Sequence, residues 1–141
     1  MADNNIPASS VITSIAASAL RAQQSRMRII AENIANSDST ARTPGGDPYR
    51  RQTAVFQPTG VTGGGEGVSM ARIEPDSSDF KMEYAPGHPG ADAKGYLKMP
   101  NVDPLVETMD MREAQRAYEA NLNVIETARA IQMRTLDILK K

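Results

Sequence analysis

The sequence predicts a mainly α protein in which long N- and C-terminal helices flank a small β insert. Three observations carry this. The run that follows Asp103-Pro104 continues for 35 residues, Leu105–Leu139, without glycine or proline. A second such run fills Ser9–Asn36. All ten glycines and eight of the nine prolines lie between Pro44 and Pro104. Glycine and proline break helices and mark turns, so their confinement separates two helical ends from an irregular middle. The expected divisions are a flexible N-terminus at 1–9, an N-terminal helix at 10–36, a Gly/Pro-rich β insert at 37–100 and a C-terminal helix at 101–141.

The C-terminal helix has the clearer start. Asp103 is a natural N-cap, and Pro104 suits the first helical position because its missing N–H would find no intrahelical acceptor there. Ala117, Val124, Ile131 and Ile138 then recur every seven residues. A flanking row reads Met111, Tyr118, Ile125, Gln132, Leu139, and a third reads Ala114, Asn121, Ala128, Thr135. Together they form one wide stripe, the pattern of a helix that lies along another helix. At 1.5 Å per residue the rod is roughly 50 Å long. A chain of 141 residues cannot cover such a helix with its own core. The chain therefore reads as an interaction module whose main partners are other chains.

Ser9 or Ser10 is the expected cap of the N-terminal helix. Ala16, Leu20, Gln23, Met27, Ile30 and Ile34 follow a 4-3-4-3-4 spacing, a heptad seam. The insert returns the chain, so the two helices are expected to pair antiparallel as a coiled-coil-like hairpin. Arg21, Arg26 and Arg28 face a single helix acid, Glu32. Such a basic side is either a solvated face or a contact for an anionic surface such as lipid headgroups. Asn33, Asn36 and Asn121 sit in or beside the seams. An asparagine inside a helix is mildly unfavourable, so their amides either meet water or bridge neighbouring helices and backbone to fix register. With so little private core, the isolated subunit is expected to be poorly helical until it assembles.

The insert reads as short strands between turns. Tyr49–Gln57, Val68–Glu74 and Tyr96–Met99 are strand-like, and Phe80–Tyr84 alternates apolar with charged residues. Thr59–Gly67, with five glycines in nine residues, reads as a flexible loop. Pro86–Gly90 is an irregular turn.

Composition excludes several functions. Net charge is −1 and the pI is about 5.8, so no electrostatic footprint for nucleic acid is present. There is no cysteine and one histidine, His88, between turn elements, where a structural role is expected and zinc is not. Gly63–Gly67 precedes a strand-like segment, whereas a phosphate loop leads into a helix. Asp76, Asp79 and Glu83 cluster in a polar segment that offers no means of shifting their pKa values for acid–base work. No catalytic residue, cofactor or metal is expected. No apolar run is long enough to span a membrane, and Met1–Ser10 has neither the basic nor the apolar region of a Sec signal.

The same residues carry a family likeness. Ala31-Glu32-Asn33-Ile34-Ala35-Asn36-Ser37 followed by Thr40 resembles the signature near the N-terminus of flagellar axial proteins of the rod and hook. Gly95-Tyr96-Leu97 with Pro100-Asn101-Val102-Asp103 resembles the segment that opens their C-terminal helix. Glu107, Ala114, Arg116, Tyr118, Ala120 and Asn121 continue it. Asp47-Pro48-Tyr49-Arg50-Arg51 and Tyr84–Asp92 are similar to the short proximal rod subunit of the family. Thr108 departs from it, standing where methionine is usual.

The likeness implies a structural rod subunit that self-assembles into the helical drive shaft transmitting motor torque. It implies location in the periplasmic rod of the basal body and export without a Sec signal. It further implies as partners the other proximal and distal rod subunits, the protein joining the MS ring to the rod, the type III flagellar export apparatus and the peptidoglycan hydrolase at the rod cap. On this reading the assembly interface comprises Leu20, Met27, Ile30, Asn33, Ile34 and Asn36 on the first helix. On the second it comprises Tyr118, Asn121, Val124, Ile125, Ala128, Ile131, Ile138 and Leu139. Another proximal rod subunit of the same family and a peripheral membrane-binding amphipathic-helix protein are the alternatives.

Overall fold

The computed structural model describes residues 7–140. Two long helices and four strands follow in the order α1 (Ala8–Ala35), β1 (Gln52–Val61), β2 (Gly65–Pro75), β3 (Lys81–Tyr84), β4 (Tyr96–Met99) and α2 (Pro104–Leu139). The expected flexible stretch at 1–9 lies mostly outside the described residues.

Helix α1 begins before the serines expected to cap it. The Pro7 carbonyl accepts the Ser10 N–H at 2.8 Å, and the Ser10 hydroxyl donates to the same carbonyl at 2.7 Å. That hydroxyl is therefore turned back along the chain and caps no helix N–H. At the other end the Asn36 side chain donates to the Glu32 carbonyl at 2.9 Å, which also accepts the Asn36 backbone N–H at 3.1 Å. Helix α2 starts as the sequence predicts. Asp103 Oδ1 accepts the N–H groups of Leu105 at 3.0 Å and Val106 at 3.5 Å, and Pro104 opens the first turn.

Strands β1 and β2 form one two-stranded sheet, and β3 and β4 another. The Thr59–Gly67 stretch is no loose loop. Its first residues finish β1 and its last ones start β2, with Thr62–Gly64 as the turn between them. Gly63 and Gly64 hold φ of 99° and 89°, which side chains resist, so the glycines serve a tight reversal. In the second sheet β3 runs antiparallel to β4, pairing Lys81 with Met99 and Tyr84 with Tyr96. The alternation at Phe80–Tyr84 is real, but its apolar side is no core face: Met82 and Tyr84 are exposed. Tyr84 meets the edge of Tyr96, and Phe80 lies outside the strand beneath the Arg50 guanidinium, 4.1 Å from ring centre to Cζ.

The chain forms two compact units. One takes the described residues of Met1–Ser25, Val55–Arg72 and Glu113–Lys141. In it Ser18 is buried on α1, and its Oγ accepts the Val68 N–H at 3.0 Å. A Cβ on Gly67 would fall 2.3 Å from that oxygen, so glycine is what allows strand and helix to approach. The other unit takes Arg26–Ala54 and Ile73–Arg112. Here Ile29, Ile30, Leu97 and Val102 are buried, and Gly90 is placed where a Cβ would meet the Ala41 carbonyl oxygen at 2.3 Å.

Among the described residues the buried apolar side chains are few, and half are alanine: Ala16, Ala22, Ala91, Ala114 and Ala128. The buried side of α1 is wider than its apolar row. Ala16 and Ile30 of that row are buried and Leu20, Met27 and Ile34 half-buried, while Ser18, Ala22, Ile29 and Asn33 beside it are buried too. A hydrophobic pattern follows large side chains. It does not register small and polar ones drawn inward by backbone contacts.

Candidate functional site

A polar knot occupies the second unit. Its centre is Asn33, near the C-terminal end of α1 and almost fully buried. Its amide Nδ2 donates to the Gln52 carbonyl at 2.8 Å and to Glu107 Oε2 at 3.1 Å. Its Oδ1 accepts the Gln52 N–H at 2.9 Å and the Tyr49 hydroxyl at 2.8 Å. Two donors and two acceptor sites are thus all used, which is the full capacity of an amide. Toward Gln52 the side chain behaves as a strand neighbour, exchanging both backbone bonds of one residue. Of the two readings of the seam amides, bridging to neighbouring backbone is the geometry of Asn33. Asn36 and Asn121 instead donate to carbonyls of their own helix, Glu32 and Ala117.

Glu107, in the first turn of α2, has no exposed surface. A buried carboxylate needs a counter-charge and hydrogen bonds. Arg51 supplies both: its Nε donates to Glu107 Oε1. The same guanidinium reaches Asp76 Oδ2 at 3.4 Å and Asp110 Oδ2 at 3.5 Å. Burial opposes the arginine's charge, but Glu107 and then Asp76 outweigh it and hold the guanidinium protonated above its ordinary pKa. The backbone around Arg51 is fixed too. Its N–H donates to Asn101 Oδ1 at 2.8 Å, and its carbonyl accepts the Asp76 N–H at 2.8 Å. Asn101 in turn donates to Asp76 and Ser78 carbonyls and to the Ser78 hydroxyl. The N–H and hydroxyl of Ser78 lower the Asp76 pKa, with Arg51 adding to them against partial burial.

Tyr49 completes the ring. Burial raises its pKa above 10.0, and the negative charges of Glu32 and Glu107 raise it further. The neutral phenol therefore adds stability at pH below 10, and that stability is lost as pH climbs through the folded value. In a phenolate absorbance titration, Tyr49→Phe should remove an ionisation step that lies above the ordinary tyrosine value. A titration unchanged by the substitution would contradict the buried donor geometry.

His88 is structural in its bonding. Its Nδ1 accepts the Gly90 N–H at 2.9 Å, which leaves Nε2–H to donate to Thr40 Oγ1 at 3.2 Å. Nothing in the knot aims a nucleophile or an acid–base pair into a cleft. It is a fastening.

The first unit presents a different surface. Every residue from Arg129 to Lys140 is exposed. Ile131, Met133, Leu136, Ile138 and Leu139 stand 54–77 % exposed there. Just before them an open groove of ≈ 310 Å³ is lined by Ile12 of α1 and by Asn123, Val124, Thr127, Ala128 and Ile131 of α2. The residues expected at an interface accordingly fall into three groups. Ile30, Asn33, Ile125 and Ala128 are buried within the chain. Leu20, Met27, Ile34, Asn36, Tyr118 and Asn121 are half-buried. Val124, Ile131, Ile138 and Leu139 are exposed.

Sequence reasoning singled out Asn33 but not the charges that complete the knot. Glu107 stands on the same seven-residue row as Ala114, Asn121 and Ala128. A carboxylate on a seam row demands a cation, and Arg50-Arg51 at the entry to β1 was the available pair.

This is a fold of two long helices and a small β insert, with large apolar side chains left open at the end of α2. The comparisons define the class. A family model described as "Flagella basal body rod protein" matches residues 14–42, and one described as "Flagellar basal body rod FlgEFG protein C-terminal" matches residues 93–138. The flagellar basal-body rod protein FlgC of Agrobacterium fabrum is 48% identical over 132 residues, 93% of this chain and 95% of its own. FlgC of Escherichia coli is 42% identical over 128 residues, and FlgC of Bacillus subtilis 37% over 142. These cover 90% and 89% of this chain and 95% of each relative. The chain belongs to the FlgC family of flagellar basal-body rod proteins. It is a structural subunit of the bacterial flagellar rod.

Proposed function

We propose that this rod subunit builds the proximal part of the periplasmic drive shaft, reaching it through the flagellar type III export apparatus. Its α2 row packs along helices of neighbouring subunits, both copies of itself and other proximal and distal rod proteins. The joined helices carry motor torque. The protein that links the rod to the MS ring and the hydrolase at the rod cap are its further contacts. The observation that carries this reading is the exposure of Val124, Ile131, Ile138 and Leu139 on α2. Large side chains left at helical spacing on one element mark an interaction surface. The half-buried Leu20, Met27 and Ile34 of α1 add a second row.

Within the chain, α1 and α2 pair as an antiparallel, coiled-coil-like hairpin. In the first unit the groove shared by Ile12 and Val124 supports this, and in the second the bond from Asn33 to Glu107. The chain thus divides into two axial helices and the insert between them. Head-to-tail contacts between unlike surfaces generate an open helical assembly, which is what a rod requires.

Removal of Leu136–Lys141 tests the reading. It takes away Leu136, Ile138 and Leu139, and burial of each is worth roughly 1.5–3 kcal/mol at an interface. The truncated subunit should remain soluble and fail to restore swimming on soft agar in a strain lacking the wild-type protein. Normal swimming would refute it.

A further inference from the structure

The loop between β3 and β4 is held to the stretch that follows α1. The Gly45 N–H donates to the Gly90 carbonyl at 3.1 Å, and the His88 ring meets the Thr40 hydroxyl at 3.2 Å. Gly90 is buried and lies so close to the Ala41 carbonyl that no side chain fits there. Its own N–H donates to His88 Nδ1 at 2.9 Å and, among the described residues, to no other acceptor. His88 is the one histidine of the chain, and histidine is the side chain whose ordinary charge change falls between about pH 5 and 8. We propose that His88 is a proton-operated latch: its neutral imidazole holds the 85–92 turn against residues 40–45, and a second proton on the ring releases it.

Nδ1 accepts a hydrogen bond only while it carries no proton, and an imidazolium is a donor at both nitrogens. Protonation therefore sets two N–H groups against each other at a separation of 2.9 Å. The Gly90 N–H loses its acceptor in a buried place, where an unpaired donor is costly. Gly90 is wedged against Ala41 and has no room to turn toward a new acceptor, so the turn moves away instead. The Thr40 contact does not oppose this, since its hydroxyl accepts from Nε2–H in either charge state. Charged residues near the contact along the chain are Asp38, Arg42 and Asp47 on one side and Glu83, Asp92 and Lys94 on the other. Asp47 is paired with Lys98, and Asp92 accepts the N–H groups of Lys94 and Tyr96. Among the described residues none of the six is bonded to the ring, so no counter-charge holds an imidazolium in place. Attachment is complete where an imidazole is neutral and is lost as pH falls through the ordinary imidazole range, about 6.5.

Amide hydrogen exchange of the purified full chain, read residue by residue at about pH 7.5 and about pH 5, tests this. At the lower value an imidazole of ordinary pKa is protonated about thirty to one. The protection of the Gly90 and Gly45 amides, corrected for the intrinsic effect of pH, should therefore fall by about tenfold or more. Protection of the Gln52 amide, which Asn33 holds, should stay the same within about twofold. His88→Asn is the comparison. An asparagine accepts the N–H two residues on, as His88 does, and does not titrate. It should keep Gly90 protected at both pH values. Equal Gly90 protection at the two pH values in the wild type overturns the latch, whatever charge the ring then carries. A loss shared equally by Gln52 overturns it too, because the whole unit is then unfolding. So does an undiminished pH dependence in His88→Asn, which places the titrating group elsewhere. Should that variant fail to fold, the wild-type comparison of Gly90 with Gln52 decides alone.

Discussion

Ile131→Asp should abolish rod assembly and leave the free subunit as stable as before. The side chain is 56 % exposed in the chain, so an aspartate there meets water and should change monomer stability by less than about 0.5 kcal/mol. In the assembled rod the same carboxylate must enter an apolar contact without a partner. That costs several kcal/mol, or opens the contact to avoid the cost. The penalty recurs in every copy. Basal-body yield at matched expression should fall to background, with the urea midpoint of the purified monomer unmoved. Arg129→Asp is the comparison. It lies two residues before Ile131, about 200° around the helix, and should assemble much nearer the wild-type level. The reverse pattern, rods with Ile131→Asp and none with Arg129→Asp, would mean that the arginine face is the contact.

Glu107→Ala should have the opposite signature, a large loss of monomer stability of about 3–5 kcal/mol. The carboxylate is fully buried and receives both Arg51 Nε and Asn33 Nδ2. Its removal takes the buried partner from a half-buried guanidinium, leaving it only the longer contacts to Asp76 and Asp110, and strands one donor of a buried amide. The cost comes from the groups left behind more than from the bonds lost. A double-mutant cycle separates the two. Arg51→Met combined with Glu107→Leu should be markedly less damaging than the sum of the single changes, because no fully buried charge is then left without its partner, and Asp76 and Asp110 keep access to water. A loss below about 1 kcal/mol for Glu107→Ala in urea unfolding would show that the pair does not hold the loop.

Much of the architecture was legible because it depends on strong local signals. The Asp103-Pro104 start fixed the beginning of α2, and the spread of glycine and proline set the two helices apart from the insert. Tyr96–Met99 matched a strand to the residue. What was not legible depends on contacts distant in sequence. Ser18 is buried because a strand N–H reaches it, and nothing near Ser18 in the sequence announces Val68. The glycines at 63–67 read as looseness, yet two of them shape a reversal and Gly67 admits the Ser18 hydroxyl. The site divides in the same way. Asn33 betrayed itself as an amide on a seam. Arg51, Asp76 and Asp110 are ordinary surface residues until folding brings them to one buried acid. On α2 the seven-residue rows located the apolar stripe, but the split between residues used inside the chain and those left outside depends on contacts with distant segments.

The polar knot has a mechanical consequence. Apolar contact is non-directional, so the burial of Ile29, Ile30, Leu97 and Val102 resists separation better than it resists sliding. The bonds around Asn33 are directional and weaken steeply once their geometry is lost. In the second unit, resistance to shear is therefore concentrated in a few polar atoms. A load there would meet a stiff response over a short displacement and then a sudden release, the behaviour of a pin more than of a spring.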